Sequence, residues 1–265
     1  MFSIICIFNN KESIDNLLLA SLKEQTAPYE LILVDNTTQQ YESASNALNK
    51  GAQDAKGEYL MFVHQDVSLG PRYNLKYAEE ILAGLPNLGA AGVAGSARNG
   101  GFSIIHQGIP PRPVPNHLGM TKPVCTQTLD ECLIMVPKSV FKVIQFDEKT
   151  CDDWHLYATD YCLSLANLGF NIYVIPMYVY HQSLGGHNAN ILQDITHLGP
   201  YPEGYYRTLK KLITKHKSRH KDIYTTTGSW NTCLPLLMQR ITHLAKHLVY
   251  STLRTVLKPL RRVLA

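Results

Sequence analysis

The stretch YLMFVHQD, residues 59–66, joins a run of aromatic and aliphatic residues to three polar ones. The apolar part, 59–63, is long enough for one buried β-strand and too short for a buried helix. The polar part, 64–66, then lies at the carboxyl end of that strand. This stretch therefore predicts a strand that delivers His64, Gln65 and Asp66 to one edge of a sheet.

Two earlier runs have the same form. SIICIF at 3–8 ends at Asn9, and YELILV at 29–34 ends at Asp35 and Asn36. A helical pattern of apolar residues over 11–25 and a polar helix predicted near 41–55 separate the runs, so strands alternate with helices. This alternation of near-continuous apolar strands with helices predicts a Rossmann-like α/β fold, with a mostly parallel central sheet and helices on both faces.

Ligands of such sheets bind at the carboxyl ends of the strands, where loops and helix N-termini meet. The dinucleotide fingerprint GxGxxG does not follow the first strand, which removes the main support for NAD chemistry. A Walker A sequence is also missing from the chain, which argues against P-loop phosphoryl transfer. The polar residues at the strand ends therefore indicate a ligand site that is neither a dinucleotide site of the NAD type nor a P-loop.

The later segments extend the α/β pattern. In chain order the sequence predicts a helix at 72–85, a small-residue strand at 88–95, an irregular Gly- and Pro-rich segment at 96–123, a strand at 132–136, a helix at 157–168 and a strand at 171–180 that ends at His181. The irregular segment is long enough to serve a function. Residues 234–261 form an amphipathic pattern at helical spacing, which predicts a C-terminal helical tail.

Several short motifs keep a characteristic order and spacing. They are Gln25-Thr26, LILVDN at 31–36, Asn49-Lys50-Gly51, Lys56-Gly57-Glu58-Tyr59, the acidic motif at 64–66, Leu129-Asp130-Glu131, Pro137-Lys138, Phe146-Asp147-Glu148, Asp160 before Cys162-Leu163, Gly169-Phe170 and Tyr180-His181. Together they make residues 3–187 resemble the family 2 glycosyltransferases with a GT-A fold, which are nucleotide-sugar-dependent and usually inverting. The chain departs from the family at 64–66, where HQD stands in place of Asp-x-Asp.

The resemblance implies a domain organisation. Residues 1–222 would form the catalytic domain, with a nucleotide-binding half at 1–95 and an acceptor half at 96–200, and residues 223–265 would form the basic tail. The donor would be a nucleotide sugar, and a divalent Mn²⁺ or Mg²⁺ would bridge its diphosphate. The family would make the protein a hexosyltransferase-like enzyme of polysaccharide biosynthesis.

The resemblance also implies site residues. Asp66 and His181 would hold the metal, although a buried, hydrogen-bonded histidine at a strand end is an alternative for His181. Residues on the donor side would be Asn9, Asp35, Asn36, Lys56, His64 and Gln65, and Glu131 would contact a hydroxyl of the donor or of the acceptor. An Asx-turn is the alternative role for Asp35.

Inverting transfer needs a carboxylate that removes the proton from the acceptor hydroxyl. The candidates are Asp152, Asp153 and Asp160. Asp160 is favoured because it aligns with an acidic position of the family at the start of the acceptor-side helix, and Asp153 is the second choice. The acid that usually accompanies Asp160 is replaced here by Tyr157 or Ala158. A structural role for the neighbouring acids, as an N-cap or a solvated loop, stays open.

The formal charge of +4 hides an asymmetry. Residues 1–203 contain 12 Lys and Arg against 20 Asp and Glu, whereas residues 204–265 contain 13 against the single Asp222. Apolar residues from Leu234 to Leu260 and cations from Arg240 to Arg261 fall on opposite sides of the predicted tail helix. This pattern favours an amphipathic helix on an anionic membrane, and the alternatives are packing on the catalytic domain or a homodimer contact.

The remaining features limit location and function. The six cysteines are scattered without zinc-type spacing, and no apolar run is long enough for a membrane span, so we expect a cytoplasmic protein that is peripheral at the inner face of the membrane. The acceptor would be a glycan or a lipid-linked glycan. Nucleic acid is not an expected partner, because aromatic residues do not alternate with the cations of the tail. A catalytically degenerate GT-A module in membrane-associated glycan assembly is the alternative function.

Overall fold

The computed structural model describes residues 1–114, 120–182 and 198–263, with side chains described as far as Val249. Its strands are β1 (Phe2–Phe8), β2 (Tyr29–Asp35), β3 (Tyr59–Val63), β4 (Val67–Ser68), β5 (Leu88–Gly92), β6 (Ala94–Ala97), β7 (Gly100–Ser103), β8 (Ile105–Gln107), β9 (Arg112–Pro113), β10 (Val124–Cys125), β11 (Thr128–Leu129), β12 (Leu133–Pro137), β13 (Asn171–Val174), β14 (Val179–His181), β15 (Asp222–Thr225) and β16 (Gly228–Asn231). Its helices are α1 (Lys11–Ile14, continued through the π-helical Asp15–Leu19 to Ala20–Lys23), α2 (Ala44–Ala52), α3 (Asn74–Gly84), α4 (Lys138–Val143), α5 (Tyr157–Asn167), α6 (Glu203–His216) and α7 (Leu236–Val263).

A seven-stranded sheet forms the centre of the fold, with the strand order β10-β13-β5-β12-β3-β1-β2. Strands β1, β2, β3, β5 and β13 run in one direction, and β12 runs against them between β3 and β5. The register of β1 with β2 extends from Phe2↔Tyr29 to Phe8↔Asp35, so both strands end at the same edge. The predicted α/β class and mostly parallel sheet are confirmed.

Apolar side chains cover both faces of this sheet. One core contains the apolar residues of α1 and α3, such as Ile14 and Leu75. The other contains those of α2, α4 and α5, such as Leu48, Phe141 and Tyr161. The helices therefore bury their apolar sides against opposite faces, as an α/β sandwich requires.

The strand predicted at 171–180 is interrupted. Pro176 lacks a backbone N–H, and the chain leaves the central sheet after Val174. It continues as β14 in a small second sheet, in which β14 pairs with β4 and His181 lies opposite Val67. This change of sheet carries His181 to the chain segment that follows β3.

The hairpin β15–β16 belongs to the body of the protein. Thr226 Oγ1 donates to Asp130 Oδ2 at 2.8 Å, and Gln127 bonds the backbone of Asp222 and Tyr224. Trp230 of the hairpin is fully buried in a third core with α6. These contacts correct the boundary expected at 223, because the residues that follow it are part of the folded body and the tail helix begins at Leu236.

Helix α7 packs on the body mostly through polar residues, with Leu244 buried among them. Gln239 is buried, His243 stacks on Trp230 with ring centroids 4.2 Å apart, and Arg240 pairs with Glu203. The opposite side exposes Leu234, which precedes the helix, and Leu237, Met238, Ile241 and Val249 of α7, each more than half exposed. The part of the predicted apolar side of the tail helix beyond Val249, including Val256 and Leu260, lies outside the described side chains. Among the described residues, every helix is too short or too polar to cross a membrane.

Candidate active site

Strands β1, β2 and β3 end side by side, so the polar residues that follow them meet at one edge. A pocket of about 260 Å³ opens there, which we call the strand-end pocket. Its floor is apolar and includes Leu48 and Phe62, and Trp154 and Tyr157 form part of its wall. The five predicted residues that line it are Asn9, Asn36, His64, Gln65 and Asp66.

His64, Asp66 and His181 form a three-residue cluster at this pocket. Each offers a ligand atom, and these atoms all lie within 4.8 Å of one another. His181 Nε2 lies 3.2 Å from Asp66 Oδ1. Among the described residues, this cluster is the one group of histidine, cysteine and acidic side chains with such a geometry.

The electrostatics of the cluster suit a cation. Burial, followed by the neighbouring His181, lowers the pKa of His64, which favours the neutral imidazole that can bind a metal. Burial alone would raise the pKa of Asp66, but the hydrogen bond and charge of His181 lower it below its usual value. Two imidazole nitrogens and one carboxylate oxygen fit Mn²⁺ better than Mg²⁺, which prefers oxygen ligands.

Gln65 holds the edge together. Its Oε1 accepts hydrogen bonds from the backbone N–H of Asn9 at 3.0 Å and of Asn10 at 2.9 Å, and its Nε2 donates to Asn9 Oδ1 at 2.7 Å. Asn10 in turn caps α1 by accepting from Ser13 N. Gln65 and Asn9 therefore fix the position of the β1–α1 turn against the end of β3.

Asp35 and Lys56 do not line the strand-end pocket. Asp35 Oδ1 accepts from the backbone N–H and the hydroxyl of Thr37, which is the Asx-turn left open above. Lys56 precedes β3, so it lies at the opposite edge of the sheet, where its backbone N–H donates to Glu30. Strand direction thus corrects the donor-side expectation for Lys56, and Asp35 is committed to its own turn.

Asp160 lies on α5 and is 1% exposed. Its carboxylate pairs with Lys215 Nζ at 2.7 Å and with His216 Nε2 at 2.8 Å, both on α6. Asp153 pairs with Arg207 of the same helix at 2.8 Å. Neither acid lines the strand-end pocket. The base role expected for Asp160 is corrected on this ground, since an acceptor hydroxyl cannot reach a buried carboxylate that is enclosed by Lys215 and His216.

A second pocket of about 190 Å³, which we call the hairpin pocket, lies beside the first. Glu131, predicted at a sugar hydroxyl, lines it together with residues of the α5 start, the α6 start and the β15–β16 hairpin. Tyr157 stands between the two pockets: its hydroxyl donates to Glu131 O at 3.2 Å and lies 3.3 Å from His64 Nε2. Sequence reasoning missed this linking role, for which the only signal was the aromatic cluster that starts at Trp154.

No known family profile and no curated protein sequence matches the chain. Solved structures do match. TarS 1–349 from S. aureus superposes with a TM-score of 0.50 and 19% identity, covering 83% of this chain and 72% of that one. The mannosyltransferase PcManGT from Pyrobaculum calidifontis, in complex with GDP-Man and Mn²⁺, superposes with a TM-score of 0.53 and 14% identity. The match covers 92% of this chain and 68% of that one. GalNAc-T7 with UDP, GalNAc and Mn²⁺ superposes with a TM-score of 0.55 and 12% identity, covering 82% of this chain and 47% of that one. The chain therefore has the GT-A fold.

Proposed function

We propose that this protein is a glycosyltransferase that moves a sugar from a nucleotide-sugar donor to a hydroxyl of a glycan or lipid-linked acceptor. The observation that carries the proposal is the His64, Asp66 and His181 cluster beside a pocket at the carboxyl edge of a GT-A sheet. Structures with the same fold hold UDP or GDP-Man with Mn²⁺. Their ligands support the choice of donor and metal.

In this proposal the nucleotide occupies the strand-end pocket, between the asparagines at the ends of β1 and β2. His64, Asp66 and His181 would hold a divalent cation, preferably Mn²⁺. Such a cation neutralises the negative charge that develops on the departing diphosphate. The reaction is a direct displacement that inverts the anomeric centre.

Tyr157 orients one of the three cluster residues. Because its hydroxyl donates to Glu131 O, Nε2 of His64 acts as the donor to Tyr157. The lone pair of His64 is then on Nδ1. A hydrogen bond of this kind fixes the tautomer and ring orientation of a metal-binding histidine.

The metal assignment predicts the result of a titration. Calorimetry with UDP-, GDP- and dTDP-sugars should detect binding of one nucleotide class that Mn²⁺ strengthens. Asp66→Asn should weaken the Mn²⁺-dependent binding at least about tenfold, or 1.4 kcal/mol, because one of three ligands loses its charge. Asp54→Asn, at an exposed acid far from the cluster, is the matched control. Absence of binding to every nucleotide by the wild type would favour the degenerate module instead.

We further infer that an anionic membrane surface is the partner of α7. The tail helix buries Gln239 and Leu244 on the body and leaves Leu237, Met238, Ile241 and Val249 exposed, so most of its apolar side does not pack on the catalytic domain. The segment 204–265 supplies 13 cations against one acid. Each cation near an anionic surface contributes roughly 1 kcal/mol. With α7 on a membrane surface, the strand-end pocket would lie near a lipid-linked acceptor.

Flotation with vesicles of anionic phospholipid tests the membrane inference. The wild type should float and Leu237→Glu/Ile241→Glu should stay in solution, because both changes bury charge in the lipid interface. Leu168→Glu, at an exposed leucine beyond the end of α5, is the control and should float like the wild type. If the double variant floats normally, or if it instead converts a lipid-free dimer into a monomer, the exposed face serves a second copy of the chain and the inference is wrong.

A further inference from the structure

The hairpin pocket combines aromatic and polar side chains. Tyr201 and Tyr205 lie with ring centroids 4.5 Å apart, and His155 lies 5.9 Å from Tyr205. Thr159 of α5 and three threonines of the β15–β16 hairpin, Thr225, Thr226 and Thr227, line the same space. Aromatic faces with a few convergent hydroxyls suit a hydroxylated ring.

The pocket adjoins the proposed metal cluster through shared contacts. Tyr157 touches both His64 and the backbone of Glu131. The charges of His181 and His64 also contribute to holding the pKa of the adjacent Asp130 below its usual value, against the effect of its burial. The hairpin pocket therefore adjoins the cluster that, in the proposed function, holds the diphosphate of the donor.

Glu131 differs from the other acids of this region. Its Oε1 is buried and makes no hydrogen bond of regular length and angle within the described parts of the chain, and the donors that face the carboxylate are the backbone N–H groups at the start of α5. In contrast, Asp130 accepts from Thr226 and from Cys132 N, Asp153 pairs with Arg207, and Asp160 pairs with α6. Glu131 thus brings to the lining of the pocket a carboxylate that has no ion-pair partner among the described residues.

We propose that the hairpin pocket binds the acceptor as a single sugar ring and that Glu131 is the carboxylate that removes the proton from its reacting hydroxyl. This inference rests on the proposed function and deepens it. In the transfer, the acceptor oxygen forms a bond to the anomeric carbon. The bond from that carbon to the diphosphate oxygen breaks with its electron pair, and the hydroxyl proton passes to Glu131, which later releases it to water.

The acidity of Glu131 matches the task. Burial, and next the charge of Asp130, raise its pKa to about 8, and the backbone N–H groups at the start of α5 lower it in part. A base works best when its pKa is near the working pH. The other titratable groups that face it are Asp130, Cys151, His155, Tyr157 and Tyr205. The pKa values of both tyrosines and Cys151 are raised and those of Asp130 and His155 are lowered, so Glu131 alone among them titrates near pH 8.

The test compares Glu131→Gln with the wild type, using Glu80→Gln at an exposed acid as the control. Gln keeps the shape of the side chain and resembles its protonated form, so the full-length variant should fold. Nucleotide and Mn²⁺ binding should stay within twofold of the wild type. Release of nucleoside diphosphate from the bound donor, with water or added monosaccharides as acceptors, should fall about 10²-fold or more. The rise of the wild-type rate toward pH 8 should disappear in the variant.

A second measurement follows monosaccharides by saturation-transfer NMR in the presence of nucleotide and Mn²⁺. We expect transfer to one of them, and Thr226→Tyr, which fills part of the hairpin pocket, should abolish it. Failure of the wild type to bind any nucleotide overturns the proposed function itself. Nucleotide binding with an unchanged rate and pH profile in Glu131→Gln overturns only the present inference, as does nucleotide binding with neither turnover nor saturation transfer.

Discussion

Asp160→Asn should lower the free energy of unfolding by about 3–5 kcal/mol, the range found when one partner of a buried ion pair is removed. Asp160 is 1% exposed and is bound by Lys215 and His216 at 2.7 and 2.8 Å. The neutral amide would leave the charge of Lys215 in a low-dielectric site with only Asp147 as a partner. The expected result in thermal denaturation is a melting temperature lower by about 10 °C.

Asp152→Asn is the matched control for this effect. Asp152 pairs with Lys211 at 2.6 Å, but both side chains are about 40% exposed, so its removal should cost less than about 1 kcal/mol. At a temperature where Asp160→Asn is still folded, its nucleotide binding should equal that of the wild type. A variant of normal stability that has lost turnover would show that Asp160 acts in the reaction and that its ion pairs are not its main role.

Glu131→Gln should make the protein more stable at pH 8 and leave its stability almost unchanged near pH 4.5. The pKa of Glu131 is raised to about 8 in the folded protein, whereas the same side chain in the unfolded chain has a pKa of 4.5. Between these values the folded protein binds a proton that the unfolded chain has lost. Stability of the wild type therefore falls as the pH rises through this window.

Glutamine has no such titration, so the difference between variant and wild type grows across the same window. We expect a gain of about 3 kcal/mol at pH 8, which is less than the full shift would give because the side chain faces an open pocket. Denaturant unfolding at both pH values measures the gain, with Glu80→Gln as the control for removing one charge. An equal stability of variant and wild type at pH 8 would mean that Glu131 is an ordinary, solvated carboxylate.

A carboxylate that destabilises the folded protein at working pH is typical of a functional site. The same residue is predicted to matter for turnover. The two measurements on Glu131 are independent, because stability does not require the acceptor to be known. If Glu131→Gln both raises the stability at pH 8 and lowers turnover, the same buried carboxylate destabilises the fold and serves the reaction.

The sequence predicted the parts of the site that depend on strand ends. Asn9, Asn36, His64, Gln65 and Asp66 each follow an apolar run, and parallel strands of similar length bring such residues to one edge. The same reasoning could not place Lys56, because its motif precedes a strand. Nor could it place Asp160, whose partners lie 55 and 56 residues further along the chain.

The amino-acid sequence by itself determined the order of strands and helices, since apolar runs of strand length and helical spacing are local properties. It also determined that α7 has one apolar side and that charge is concentrated after residue 203. Tertiary structure alone decided which carboxylates form ion pairs and which are buried without one. The reason is that the pairing of Asp160, the isolation of Glu131 and the outward direction of Leu237 all depend on α6, α7 and the β15–β16 hairpin packing on the body, and these contacts join residues far apart in the chain.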